Sequence, residues 1–166
     1  MSVRHHSCLF VALVLLIALG VAPAGAAEST VLLKTTRSWD GTAFPAYPQG
    51  QPEITVLRIV IPPHSTLAWH HHPVINAAYV QQGRLMVEKH DHTADGPTTC
   101  SLIAGDVLPE LVDQVHRGYT GDEAATLIVF YAGRAGSQIT VPDVFPVGPV
   151  PTRWAPPCSE WRGRGT

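Results

Sequence analysis

Three consecutive histidines, His70, His71 and His72, carry the clearest capacity for chemistry in this sequence. The pattern predicts a short strand that begins at Ser65 and is ended by Pro73. Side chains alternate between the two faces of a strand, so His70 and His72 point to one side and His71 to the other. Two imidazoles on one face are a natural start for a divalent transition-metal site, because each offers one neutral nitrogen ligand.

Such a site needs further ligands, and the sequence offers candidates. Asn76 can add an amide oxygen, and His116 can reach in from another strand if the sheet closes on itself. Glu110 and Asp113 are the carboxylates placed to approach His116, where either one can orient the imidazole, act as a base or remain a surface charge. The alternative for the triple histidine is a polar strand end that faces solvent.

The elements that must position these side chains are strands. No segment carries a sustained 3.6-residue apolar period, and strand signals recur every 8 to 15 residues, each closed by Gly, Pro or Asp. Residues Glu53 to Ile61 predict a strand buried on both faces, and Asn76 to Lys89 a hairpin-like stretch that turns at Gly83. The economical architecture is an all-β sandwich or barrel.

The composition agrees with this architecture and excludes some partners. With 45% hydrophobic residues, 14% charged residues, 14 Gly and 15 Pro, the chain contains more turn-formers than a helical bundle tolerates. Of its 11 basic residues only Arg4 precedes the predicted cleavage site, which leaves 10 basic against 13 acidic residues. The mature chain therefore lacks the basic footprint of a nucleic-acid-binding protein.

Residues 1–26 are predicted to be a signal peptide. Arg4 supplies the positive charge, Phe10 to Leu19 the apolar run, and Ala24-Gly25-Ala26 the small-residue cleavage site. The apolar run is short for a membrane anchor, which is the alternative interpretation. We therefore expect an exported protein, periplasmic or extracellular, with no stable membrane anchor after cleavage.

The mature chain is expected to be one domain with two less regular ends. Residues 27–52 form an N-terminal lead-in, residues 53–140 the barrel, and the proline-rich residues 141–166 an extended arm. Cys100 and Cys158 remain after cleavage as an even pair in a chain bound for an oxidising compartment. A disulfide between the arm and the body, or two free thiols, are both open at this stage.

Two motifs in the middle of the chain resemble the paired motifs of the cupin superfamily. The first matches at two histidines and a glycine, with an asparagine where the family has glutamate: His70, His72, Asn76 and Gly83. The second matches at a Gly-Asp turn, a proline and a histidine: Gly105, Asp106, Pro109 and His116. The likeness covers roughly residues 53 to 132 and is closest to small single-domain bacterial cupins.

The resemblance implies a double-stranded β-helix, or jelly roll, with a metal inside the barrel. It implies ligands His70, His72 and His116, with the neutral Asn76 beside them and an open position for a small-molecule substrate. The metal is a divalent transition ion, and Fe, Zn, Ni, Cu and Mn all remain open. A dioxygenase or a lyase is the leading expectation, and a non-catalytic module for a small ligand or metal is the alternative. A homodimer through sheet edges is one option for the assembly.

Overall fold

A computed structural model describes residues 26–91, 98–146 and 154–158 of the 166-residue chain. Within these ranges the secondary structure is almost entirely β. The strands are β1 (Pro52–Ile61), β2 (His70–His71), β3 (Ile75–Gln82), β4 (Arg84–Lys89), β5 (Thr99–Ile103), β6 (Val107–Pro109), β7 (His116–Tyr119), β8 (Ala125–Arg134) and β9 (Val141–Pro142). The described ranges contain no helix long and apolar enough to cross a membrane.

The strands form two antiparallel sheets that share one core. One sheet has the order β1-β8-β3-β6, and the other has the order β5-β4-β7-β2-β9. Alternate residues of both sheets enter a single apolar cluster, among them Val80 and Val129 from the first sheet and Leu85 and Leu102 from the second. The two sheets therefore face each other across this core, which confirms the predicted jelly roll.

The prediction that β1 is buried on both faces was wrong. Ile54 and Val56 are 60% and 56% exposed, and Val60 is 54% exposed. The physical reason is position, because β1 is the edge strand of its sheet and pairs with β8 alone. A run of β-branched residues indicates a strand but does not show what covers its faces.

The hairpin predicted around Gly83 was also wrong. β3 and β4 follow each other directly in the chain, but they belong to different sheets, so Gly83 is a corner of the barrel. Its φ is +77°, and a Cβ on it would lie 1.9 Å from the carbonyl oxygen of Ala124. Glycine meets both requirements, because it adopts positive φ without strain and lets the two backbones approach closely.

The strand predicted from Ser65 to His72 is shorter in the structure. Only His70 and His71 form β2, and an isolated bridge between Thr66 and Tyr119 precedes it. β2 nevertheless lies where the prediction needs it, between β7 and β9. A strand of two residues is enough to position His70, because pairing with β7 and β9 already fixes the register of both residues.

The predicted lead-in is partly described. Trp39 is fully buried in the core, and its backbone N–H donates to the carbonyl of Pro109 at 2.8 Å. The predicted signal peptide lies outside the described residues except for Ala26. Residues 147–153 and 159–166 of the predicted arm also lie outside them, so the arm as a whole stays a prediction.

A disulfide joins Cys100 on β5 to Cys158, which settles the open question of the two thiols. Beside it, the Ser101 hydroxyl donates to the carbonyl of Ala155, and the Ser101 backbone N–H donates to the carbonyl of Pro156. The C-terminal residues 154–158 are thus held along the free edge of the second sheet.

We predict that this disulfide contributes about 2–4 kcal/mol to the free energy of unfolding. It closes a loop of 58 residues, so its main effect is to restrict the unfolded chain. Denaturant unfolding of the oxidised protein should be compared with that of the reduced protein and of a Cys100→Ala/Cys158→Ala variant. Equal midpoints for the oxidised and the reduced chain would contradict the prediction.

Candidate metal centre

Three histidines from two segments of the chain meet at one point inside the barrel. His70 lies on β2 directly opposite His116 on β7, and His72 follows β2 on the same side as His70. The ring centroids lie 4.7 to 4.9 Å apart in all three pairs, and one nitrogen of each ring lies within 4.8 Å of those of the other two. The predicted set of three histidines is therefore brought together.

Backbone carbonyls fix the orientation of all three rings. The Nδ1 atoms of His70, His72 and His116 each lie 2.8 Å from a carbonyl oxygen, those of Ala68, Ile139 and Gln114 respectively. A carbonyl only accepts hydrogen bonds, so each Nδ1 carries the proton and donates. The remaining nitrogen, Nε2, is then a lone-pair donor in each neutral ring, as metal ligation requires.

The histidines line a cavity of about 310 Å³. Its walls are mostly apolar, formed by Ile59, Leu67, Leu85, Val87, Leu127 and Val129. Its polar groups are the three histidines with Glu110, Tyr131 and Thr140. Apolar walls around a few convergent polar groups are typical of a small-molecule site, and this volume lies at the lower end of the usual range.

Glu110, one of two carboxylates that the sequence left open, enters this cavity. Its Oε2 lies 3.3 Å from Nε2 of His116, and both side chains are buried. Neither atom has any other hydrogen-bond partner, although both are shielded from solvent. Asp113, the other carboxylate, is exposed and has a positive φ of 53°.

Asn76 is buried on the inner face of β3 and is less directly tied to the histidines. Its Nδ2 donates to the carbonyl of Val74 at 3.2 Å, while its Oδ1 makes no hydrogen bond. Its backbone carbonyl accepts from the backbone N–H of Glu110 at 3.2 Å. Whether the amide oxygen reaches a metal stays a prediction.

Sequence reasoning missed two further groups of the site. Tyr131 lies on the inner face of β8, and its ring centroid is 5.5 Å from that of His72. Thr140 lines the cavity, and its hydroxyl lies 3.3 Å from Nδ1 of His72. Tyr131 could have been found from its alternation with Leu127 and Val129 along the strand, whereas the segment around Thr140 carries no such signal.

The electrostatics of the site follow from burial and from one negative charge. Burial lowers the pKa of His72 to about 4, and burial together with the nearby His116 lowers the pKa of His70. Burial alone would lower the pKa of His116 as well, but the carboxylate of Glu110 outweighs it and raises that pKa. Burial would raise the pKa of Glu110, but its contact with His116 and the charges of the three histidines lower it.

The donor set therefore fits a divalent transition metal. It combines three oriented imidazole nitrogens with one carboxylate oxygen, Oε2 of Glu110, which lies 3.3 Å from Nε2 of His116. Neither of these two buried atoms has any other partner, so the pair requires a cation or a proton shared between the side chains.

We predict that the metal-free protein loses stability as the pH falls from 6.5 to 4, partly because of His72. The pKa of His72 lies near 4 in the folded state and near 6.5 in the unfolded chain, so its contribution is complete above pH 6.5 and declines below it. Over this range the loss amounts to about 3 kcal/mol.

Denaturant unfolding in EDTA across this pH range should compare the wild type with His72→Gln. The variant retains His116, whose raised pKa acts in the opposite direction, so the difference between the two proteins isolates His72. The stability of His72→Gln should fall less steeply, and parallel curves for the two proteins would contradict the prediction.

No family model and no curated protein matches the chain. Among solved structures, the chain is similar to the DMSP lyase DddQ from Ruegeria pomeroyi, at 18% identity over 66% of this chain and 49% of that one, with a TM-score of 0.47. It is also similar to a cupin-like protein from Thermotoga maritima, at 18% identity over 68% and 73%, with a TM-score of 0.45. The chain spans about half the length of the DMSP lyase.

Oxalate oxidase in complex with glycolate is a further similar structure, at 19% identity over 53% of this chain and 45% of that one, with a TM-score of 0.44. The two faces of the jelly roll enclose one cavity, and the histidines of the two sequence motifs meet there. The chain thus has a jelly-roll fold, and its clustered histidines come from the two motifs that resemble those of cupins.

Proposed function

We propose that the protein is an exported metalloenzyme that binds a divalent transition metal through His70, His72 and His116 and acts on a small organic substrate. The observation that carries this proposal is that one nitrogen of each of the three rings lies within 4.8 Å of the other two, while every Nδ1 is held by a backbone carbonyl. Three protein ligands leave room at the ion for a substrate atom or water.

The shape and the lining of the cavity support a small substrate with an apolar part. The apolar walls remove water from that part, while the histidines at the polar end leave the metal to receive an oxygen, nitrogen or sulfur atom of the substrate. The Tyr131 and Thr140 hydroxyls line the same cavity and can donate hydrogen bonds to a substrate.

The identity of the metal decides the reaction class. A redox-active ion such as iron supplies oxygen-dependent chemistry of the dioxygenase type, whereas zinc supplies Lewis-acid chemistry of the lyase type. In both cases the residues of this chain do the same work, which is to orient the ligands, exclude water and keep one carboxylate ionised next to the cation.

Export is a part of the proposal that the disulfide supports. Disulfides persist in oxidising compartments and are rare in reducing ones. Cys100 and Cys158 form one, and the predicted signal peptide precedes them in the chain.

Elemental analysis of the mature chain, exported and purified without a histidine tag, tests the metal centre. We expect about one equivalent of iron, nickel, copper, manganese or zinc in the wild type. A His70→Ala/His72→Ala variant should contain none, because two of the three nitrogen ligands are gone.

His71→Asn is the matched control, because it lies between the two ligands but points away from them. The His71 ring contacts Asp143 at 2.8 Å instead, so this variant should retain the metal of the wild type. Absence of metal from the wild type, even after reconstitution, would overturn the proposal and leave a barrel that binds a ligand without metal. Zinc as the only metal that supports turnover would exclude the oxygen-dependent class.

A further inference from the structure

We propose that Glu110 is the anionic ligand of the metal centre, so that the carboxylate comes from the segment after β6 and not from β3. This inference rests on the proposed function, because it requires that the three histidines bind a metal. It adds a fourth protein ligand and with it a negative charge that three neutral imidazoles and an asparagine do not provide.

The first argument is the nitrogen that Glu110 approaches. A carboxylate that only orients a metal-bound histidine contacts the ring nitrogen that faces away from the metal. In His116 that nitrogen is Nδ1, which already donates to the carbonyl of Gln114. Glu110 Oε2 lies 3.3 Å from Nε2 instead, which is the nitrogen left free to bind a metal. The carboxylate thus stands on the metal side of the ring.

The second argument is that no lysine or arginine among the described residues forms an ion pair with the carboxylate. Burying an ionised carboxylate is unfavourable unless a positive charge accompanies it. Of the basic side chains near the core, Arg117 pairs with Glu88 at 2.8 Å and Lys89 pairs with Asp40 at 2.7 Å. The ion-pair contact of the carboxylate is with Nε2 of His116 at 3.3 Å, and this histidine must be neutral to bind a metal. A divalent cation among the three histidines supplies the missing charge.

The third argument is the strand register. Ala77 pairs with Pro109 in the antiparallel β3–β6 pair, so Asn76 and Glu110 stand opposite each other, and the backbone N–H of Glu110 donates to the carbonyl of Asn76. The two side chains therefore start from neighbouring backbone positions at the same edge of the site. A charge missing from Asn76 can be supplied by Glu110 across the strand pair.

Competition titrations with Co(II) and a chelator of known affinity test this assignment. We expect Glu110→Gln, which keeps the shape but removes the charge, to weaken Co(II) binding by about 10–100-fold or more. Asp113→Asn is the matched control, because it removes an exposed carboxylate three residues away, and it should change the affinity by less than about twofold. An Asn76→Glu/Glu110→Gln variant places the carboxylate on β3 instead, and it should restore at least part of the lost Co(II) affinity.

A spectroscopic readout separates ligation from a merely structural role. The visible absorption spectrum of bound Co(II) reports its ligand set, so Glu110→Gln should change the spectrum and Asp113→Asn should not. Infrared difference spectra should compare the metal-free with the Zn(II)-loaded wild-type protein, and a carboxylate stretching band should shift on metal binding. This measurement does not require the Glu110 variant to fold.

The outcomes distinguish this inference from the proposed function. Co(II) binding by Glu110→Gln with wild-type affinity and an unchanged spectrum would overturn the role of Glu110 and leave the three-histidine centre standing. An unshifted carboxylate band in the wild type would do the same. Failure of the wild type to bind Co(II) at all would instead overturn the proposed function.

Discussion

The hydrogen bonds from the three Nδ1 atoms to backbone carbonyls are the constraint on which the site depends. They fix the tautomer and the orientation of each ring, which leaves every Nε2 available as a metal ligand. Because the acceptors are main-chain atoms, the ring positions are as rigid as the strands and loops that carry them. The backbone therefore fixes the position of the histidine cluster, and the other groups of the site, including Glu110, are arranged around it.

The arrangement of the three histidines also explains why the barrel tolerates the buried carboxylate of Glu110. A buried carboxylate beside three neutral imidazoles is unfavourable, and in the metal-free protein the raised pKa of His116 allows a proton on its ring to relieve it. A proton and a divalent cation are alternative partners for the same group of atoms. The site is thus built to hold positive charge, and the apolar walls of the cavity strengthen the interaction by excluding water.

Much of this could be predicted from the sequence where the information is local. Alternation along a strand was enough to place His70 and His72 on one side, and it needed no knowledge of the partner strands. Sheet membership is not local, and there the predictions failed. The β-branched run of β1 does not show that its strand is an edge, and Gly83 looks the same in a hairpin as in a corner between two sheets. The choice between Glu110 and Asp113 likewise required the register of β3 against β6.

The C-terminal part of the chain shows how far the site extends beyond its motifs. The carbonyl that orients His72 belongs to Ile139, 67 residues away, and Thr140 and Pro142 line the cavity. β9, which holds this segment, pairs with β2 over only two residues at the edge of its sheet. Such an element contributes few contacts and opens easily unless something else fixes it. A metal bound by His72 favours the conformation in which the Ile139 carbonyl orients that ring. Because a ligand stabilises the state that binds it, metal binding and the docking of this segment must strengthen each other.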